Sequence, residues 1–221
     1  MRAAWYPLII AVLTVFLTIR AGLRHDTKQT YVFKPLSTVL IILAALLSLL
    51  QPERNLVYTI GVMIGLVLSL GGDVALMLPQ RKAFMIGLVL FLLAHIAYMV
   101  TFTVLSGFVQ ADLASAAVLV MVGVAMYLFL RPGLGSMRVP VIAYIAVISL
   151  MVNRAISTFY GATFSATQAL MISIGAVLFY LSDAVLAANR FWKPLKHERL
   201  GLALYYGGQA LIALAASYFG S

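Results

Sequence analysis

Long apolar runs broken by short polar or basic clusters give the chain its rhythm, and they predict eight helices at 3–19, 35–50, 56–78, 84–105, 113–130, 139–153, 166–189 and 200–219. A helix needs about 20 mainly apolar residues to cross the hydrocarbon core of a bilayer, and these runs are near that length. Turn chemistry accounts for the breaks. Gln51-Pro52, Leu78-Pro79, Arg131-Pro132-Gly133 and Lys193-Pro194 each stop a helix by removing an amide donor or freeing the backbone.

Composition turns this pattern into a class. At 64% hydrophobic, 10% charged and a mean hydropathy of +1.07, the 221 residues fall well outside the range of soluble domains. The fold expected is an all-α polytopic transmembrane bundle, a single integral membrane domain over 1–221 with no room for an extramembrane domain. The apolar stretch from Met1 to Ile19 has no small-x-small cleavage site after it and reads as a retained first span. The absence of cysteine excludes disulfides, thiolate nucleophiles and thiolate metal sites.

A formal charge of +9 does not point to nucleic acid, because the basic residues punctuate the apolar runs instead of gathering on one face. Arg20, Arg24, Lys28, Lys34, Arg81, Lys82, Arg131, Arg138, Arg190, Lys193, Lys196 and Arg199 all fall in alternate loops; only Arg2, Arg54 and Arg154 fall in the others. The positive-inside rule then predicts cytoplasmic basic loops and both termini outside. The expected location is a bacterial cytoplasmic membrane.

Two acidic residues interrupt the spans. Asp73 lies in Ser69-Leu70-Gly71-Gly72-Asp73-Val74-Ala75-Leu76, and Asp183, 110 residues later, lies in Tyr180-Leu181-Ser182-Asp183-Ala184-Val185-Leu186. An ionisable group within a span is costly and by default marks function. Helical rise places both roughly 8–9 Å below the inner surface. Gly65 and Gly175 stand at the same offset. Gly87, eight residues before His95, parallels Gly201, eight before Gln209. A duplicated four-helix unit, with halves 1–110 and 111–221 related by an axis along the membrane normal, would bring the aspartates face to face. The competing reading is chance similarity between apolar helices rich in Gly and Leu.

The aspartates are expected to be functional, since no intramembrane Lys or Arg stands beside them in the predicted spans; the alternative is a structural hydrogen bond to Ser69, Ser182 or backbone. His95, with Tyr98 three residues on along the same face, fits equally a bridge between helices and a catalytic or substrate-orienting role. A metal site is not expected, because zinc needs three or four ligands and His25 and His197 lie in loops; an Asp73, His95 and Asp183 set is the one alternative. Tyr205, Tyr206 and Gln209 would line the same cavity or belong to interfacial packing. Lys34 at the start of the second span would meet a lipid phosphate or snorkel. Asn153 and Arg154 read as an interface cap, and Gly61-x-x-x-Gly65 as a close-packing face.

Lys34-Pro35-Leu36, Gly72-Asp73-x-x-Leu76, Phe84-x-x-Gly87-x-x-x-Phe91-x-x-x-His95-x-x-Tyr98 and Phe179-x-x-Ser182-Asp183-x-x-Leu186-Ala187 together resemble the YhhN family, which includes the lysoplasmalogenases. The resemblance implies hydrolysis of the vinyl ether bond of a lysoplasmalogen, an alkenyl glycerophosphocholine or glycerophosphoethanolamine, to a fatty aldehyde and the glycerophospho head group. It implies Asp73 and Asp183 as the catalytic pair, with Lys34 and His95 in the site and no cofactor; Tyr98, Ser182, Tyr205 and Gln209 are further substrate-binding candidates. Vinyl ethers resist base but are protonated at the β-carbon, giving an oxocarbenium ion that water captures. Two carboxyls sharing one proton supply the acid and the base, as in glycosidases. Asp183 is the expected donor and Asp73 the base. The competing class is a transporter of small cations or lipids that uses the same acids. Head-group preference and oligomeric state do not follow from the sequence.

Overall fold

The computed structural model describes residues 2–195 and 199–220; Lys196 and His197, assigned above to a basic loop, lie outside them. The chain forms α1 (Trp5–Leu23), α2 (Thr27–Leu47), α3 (Leu56–Met77), α4 (Arg81–Ser106), α5 (Asp112–Leu130), α6 (Arg138–Ser157), α7 (Ala166–Phe191) and α8 (Arg199–Ala215). Short 3-10 turns follow α2, α5 and α8. All eight helices are long and apolar enough to span a bilayer, and among the described residues there is no strand. The protein is an integral membrane protein.

Large apolar side chains cover the outside, as lipid requires: Ile9, Leu13 and Phe16 on α1 and Val120, Met121 and Val124 on α5 are all exposed. Many polar and aromatic residues, among them Tyr58, Asp73, His95, Tyr98, Phe179 and Tyr205, turn inward. The tightest helix pairs are α3 with α4, α7 with α8, and α1 with α2, while α6 joins α4 to α7. Span α8 is the most enclosed and α5 the least. A central α8 touching α1, α2 and α3 is therefore placed to meet the α3 aspartate.

Glycine permits close contact in two helix pairs. A side chain at Gly65 would overlap the Tyr98 ring, and one at Gly175 would lie 2.8 Å from the Gly208 carbonyl oxygen. The small-x-x-x-small face at Gly61 and Gly65 thus packs α3 on α4, against Thr101 and Tyr98.

One helix boundary differs from expectation in a way that matters. Lys34-Pro35 predicts a helix start, yet α2 begins at Thr27, where the Asp26 carboxylate caps the helix by accepting from the Gln29 amide at 3.0 Å. Pro35 lies inside the helix and Lys34 lies one residue before it, within α2 and not in a loop.

Arg154 and Asn153 also differ from an interface cap. Both are buried, since α6 continues to Ser157. Arg154 pairs with Asp112 at the start of α5 at 2.6 Å and also donates to the Gly107 carbonyl; Ser157 donates to Asp112, and Asn153 Nδ2 donates to the Asp112 carbonyl at 2.9 Å. This clasp ties α5 and α6 to the end of α4. It lies at the opposite end of the bundle from Lys34.

Candidate active site

Asp73 and Asp183 line one cavity of about 260 Å³, together with Lys34, Phe91, Ser182, Asn189, Arg199 and Tyr205. Its walls come from α2, α3, α4, α7 and α8, and it reaches the bundle end at which α3 and α7 finish and α4 and α8 begin. Residues widely separated in sequence thus meet because four helices converge on α8.

Asp73 is surrounded by donors. Thr38 Oγ1 donates to its Oδ2 at 2.6 Å and Tyr205 Oη to the same oxygen at 2.8 Å, while Lys34 Nζ stands 3.3 Å from Oδ1. Lys34 Nζ also donates to the Asp73 backbone carbonyl at 3.5 Å. The aspartate is 1% exposed, so it depends on these partners for the hydrogen bonds that water would otherwise make. A hydroxyl from α2, a phenol from α8 and an ammonium all directed at one carboxyl suit the acceptor-only carboxylate form. The expectation that neither aspartate has a basic neighbour is therefore corrected. Helix α2 starts early enough to carry Lys34 onto Asp73.

Asp183 has a sparser shell. Tyr144 Oη on α6 donates to its Oδ2 at 2.6 Å, and His95 Nε2 on α4 stands 3.6 Å from the same oxygen. His95 is fully buried in an aromatic box, with ring centroids 4.5 Å from Phe179 and 5.4 Å from Tyr144. Neither of its ring nitrogens has a hydrogen-bond partner of normal geometry among the described residues. Phe91 stands edge-on to both Phe179 and Tyr205 and fills the space between the two carboxyl shells.

The two shells have matched spacing. Lys34 precedes Asp73 by 39 residues, and Tyr144 precedes Asp183 by 39. His95 and Tyr205, each reaching an aspartate from across the bundle, are 110 residues apart, as the aspartates are. The sequence comparison set His95 against Gln209, but at the site the counterpart is Tyr205, one turn earlier on α8.

Of the other predicted residues, Ser182 and Tyr205 line the cavity. Tyr98 and Gln209 lie behind it, joined by a 2.6 Å hydrogen bond from Tyr98 Oη to Gln209 Oε1. Tyr206 donates to the Lys34 carbonyl at 2.8 Å and fixes α2 against α8. Sequence reasoning missed Thr38 and Tyr144. Thr38 is one turn beyond Lys34, which is a usable signal once Lys34 is inside the helix. For Tyr144 the signal was the 39-residue spacing. No group of three or more His, Cys, Asp or Glu residues close enough to hold a metal ion occurs among the described residues.

Residues 29–216 match the YhhN family. The chain is 33% identical over 159 residues to a Bos taurus protein named lysoplasmalogenase TMEM86A, covering 70% of this chain and 64% of that one. It is 34% identical over 161 residues to the Homo sapiens protein of the same name, again covering 64% of it. These two relatives are therefore longer, and the chain spans about two thirds of their length. An Escherichia coli protein named uncharacterized membrane protein YhhN is 29% identical over 213 residues, covering 94% of this chain and 96% of that one. No solved structure matches the chain.

Proposed function

The chain belongs to the YhhN family, and from that premise we propose that it is a membrane-embedded hydrolase that cleaves the vinyl ether bond of lysoplasmalogens by acid–base catalysis at Asp73 and Asp183. The observation that carries this reading is the placing of two differently partnered carboxyls in one cavity. One is ion-paired and saturated with donors, the other has one hydroxyl donor and a histidine. The names of the mammalian relatives support the substrate class.

In this reading Asp183 carries the catalytic proton and Asp73 is ionised. Asp183 transfers its proton to the β-carbon of the vinyl ether, leaving an oxocarbenium ion at the α-carbon that the Asp73 carboxylate stabilises. Water adds to the α-carbon and gives a proton to Asp73, forming a hemiacetal. The hemiacetal hydroxyl then returns a proton to Asp183 as the carbon–oxygen bond to glycerol breaks, and Asp73 passes its proton to the departing oxygen. One water is consumed, aldehyde and alcohol leave, and both carboxyls are restored. Lys34 pairs with Asp73, and Tyr144 and His95 orient Asp183. The basic bundle end, where Lys34 and Arg199 line the cavity, would face the cytoplasm and receive the phosphate of the head group. A duplicated four-helix unit accounts for the matched spacing of the two shells.

The test is incubation of the purified protein with a 1-alkenyl lysophospholipid and with its saturated ether analogue. Aldehyde is expected from the alkenyl lipid alone, and Asp73→Asn and Asp183→Asn are each expected to abolish it while the protein stays folded. Near-normal turnover in either variant would remove the dyad mechanism.

A further inference from the structure

A second, almost wholly apolar slot lies between α4, α5, α6 and α7, lined by Leu88, Val141, Ile145, Ile148, Leu186 and Phe191 among others. It shares a wall with the polar cavity. Leu76, Phe91, Asp183 and Leu186 line both, so Asp183 is the carboxyl residue common to the two spaces, whereas Asp73 faces the polar cavity alone. Tyr144, which holds Asp183, lines the slot. The two aspartates, matched in spacing, are thus unequal in surroundings.

That inequality has a chemical counterpart in the proposed substrate. A vinyl ether joins a hydrocarbon chain to a glycerol oxygen, so its reacting atoms must lie where an apolar wall gives way to a polar one. The carbon that takes the proton belongs to the chain, and the oxygen that leaves belongs to the head group. Resting on the hydrolase reading above, we propose that the slot between α4, α5, α6 and α7 is the binding site for the hydrocarbon tail of a single-chain lipid, with the head group in the Lys34 and Arg199 cavity and the vinyl ether across Asp183. The slot is narrow as it stands, about 40 Å³. A chain therefore enters by turning Leu88, Leu186 and the flexible Met126, whose side chains border it. The same placing makes Leu88 and Val141 determinants of chain selectivity.

The decisive experiment uses a lysophospholipid analogue with a saturated ether bond and a photoreactive diazirine in the tail. It is incubated with the protein in detergent micelles, and crosslinks are mapped by mass spectrometry. Crosslinks on α4, α6 and α7 at slot residues, competed away by the same lipid without diazirine, are expected. Crosslinks confined to the outer faces of α1 or α5 would overturn the tail site. Because the analogue is not hydrolysed, this result is independent of whether the protein cleaves vinyl ethers. In parallel, Leu88→Trp fills the slot and Leu88→Ala widens it. The ratio of kcat/KM for a long-chain over a short-chain alkenyl lipid should fall at least tenfold in the first and rise in the second, each compared with the parent protein. An unchanged ratio in both folded variants would also overturn the tail site and would leave the dyad reaction standing.

Discussion

Replacing Lys34 with methionine tests the charge arrangement at the site without reference to any substrate. Methionine keeps much of the length of the side chain and removes its charge. In the parent protein Nζ and Oδ1 are 3.3 Å apart, with side-chain exposures of 12% and 2%. At an effective dielectric near 20 their attraction is roughly 5 kcal/mol. The desolvation of both ions offsets part of that, yet removing one partner leaves the other buried without compensation, which typically costs about 3–5 kcal/mol. Lys34→Met should therefore destabilise the folded protein by about 3 kcal/mol, with Thr38 and Tyr205 still donating to Asp73. Adding Asp73→Asn to that variant removes the stranded charge, and Asn Oδ1 still accepts from the two hydroxyls. The double variant should then be more stable than Lys34→Met alone, although Asp73→Asn in the parent is destabilising. Thermal unfolding in detergent, followed by far-ultraviolet circular dichroism, measures all four proteins of the cycle. Stability changes that add within about 0.5 kcal/mol would refute the argument, because uncoupled residues behave that way.

Tyr144→Phe deletes only the hydroxyl that donates to Asp183. Asp183 becomes a carboxylate only as it gives up its proton, and a hydrogen bond to a charged group contributes about 1.5–3 kcal/mol, so kcat for aldehyde release should fall about 10- to 100-fold with little change in KM, as measured by steady-state kinetics; a rise in KM at constant kcat would point to substrate binding instead. Arg154→Met breaks the buried pair with Asp112 at the far end of the bundle and should destabilise by about 3–5 kcal/mol. Activity per folded molecule should stay near the parent value, which a titration of active protein after size-exclusion chromatography would show.

The membrane class, the eight helices and the two aspartates were legible in the sequence because each is a local property. A run of apolar residues crosses a bilayer whatever its neighbours do, and an Asp within such a run stands out wherever it lies in the bundle. The proline breaks fell where the helices end, except at Pro35. There the cap from Asp26 extended α2 by eight residues beyond the predicted start and carried Lys34 into the bundle. The early start of α2 is the physical reason that the ion pair was missed. A basic residue beside a proline reads as a loop until the helix before it is known.

What the tertiary structure decided was partnership. Thr38 lies 35 residues from Asp73, Tyr205 lies 132 from it, and Tyr144 lies 39 from Asp183. A threonine or tyrosine in a span carries no mark of its role until helix rotation and crossing angle aim it at a carboxyl. The sequence by itself determined that two acids sit within the membrane-spanning helices. Only the packing of α2, α6 and α8 around them made one an ion-paired carboxylate and put the other on the border of an apolar slot, because the electrostatic surroundings of a buried group are set by what the other helices bring within a few ångströms of it.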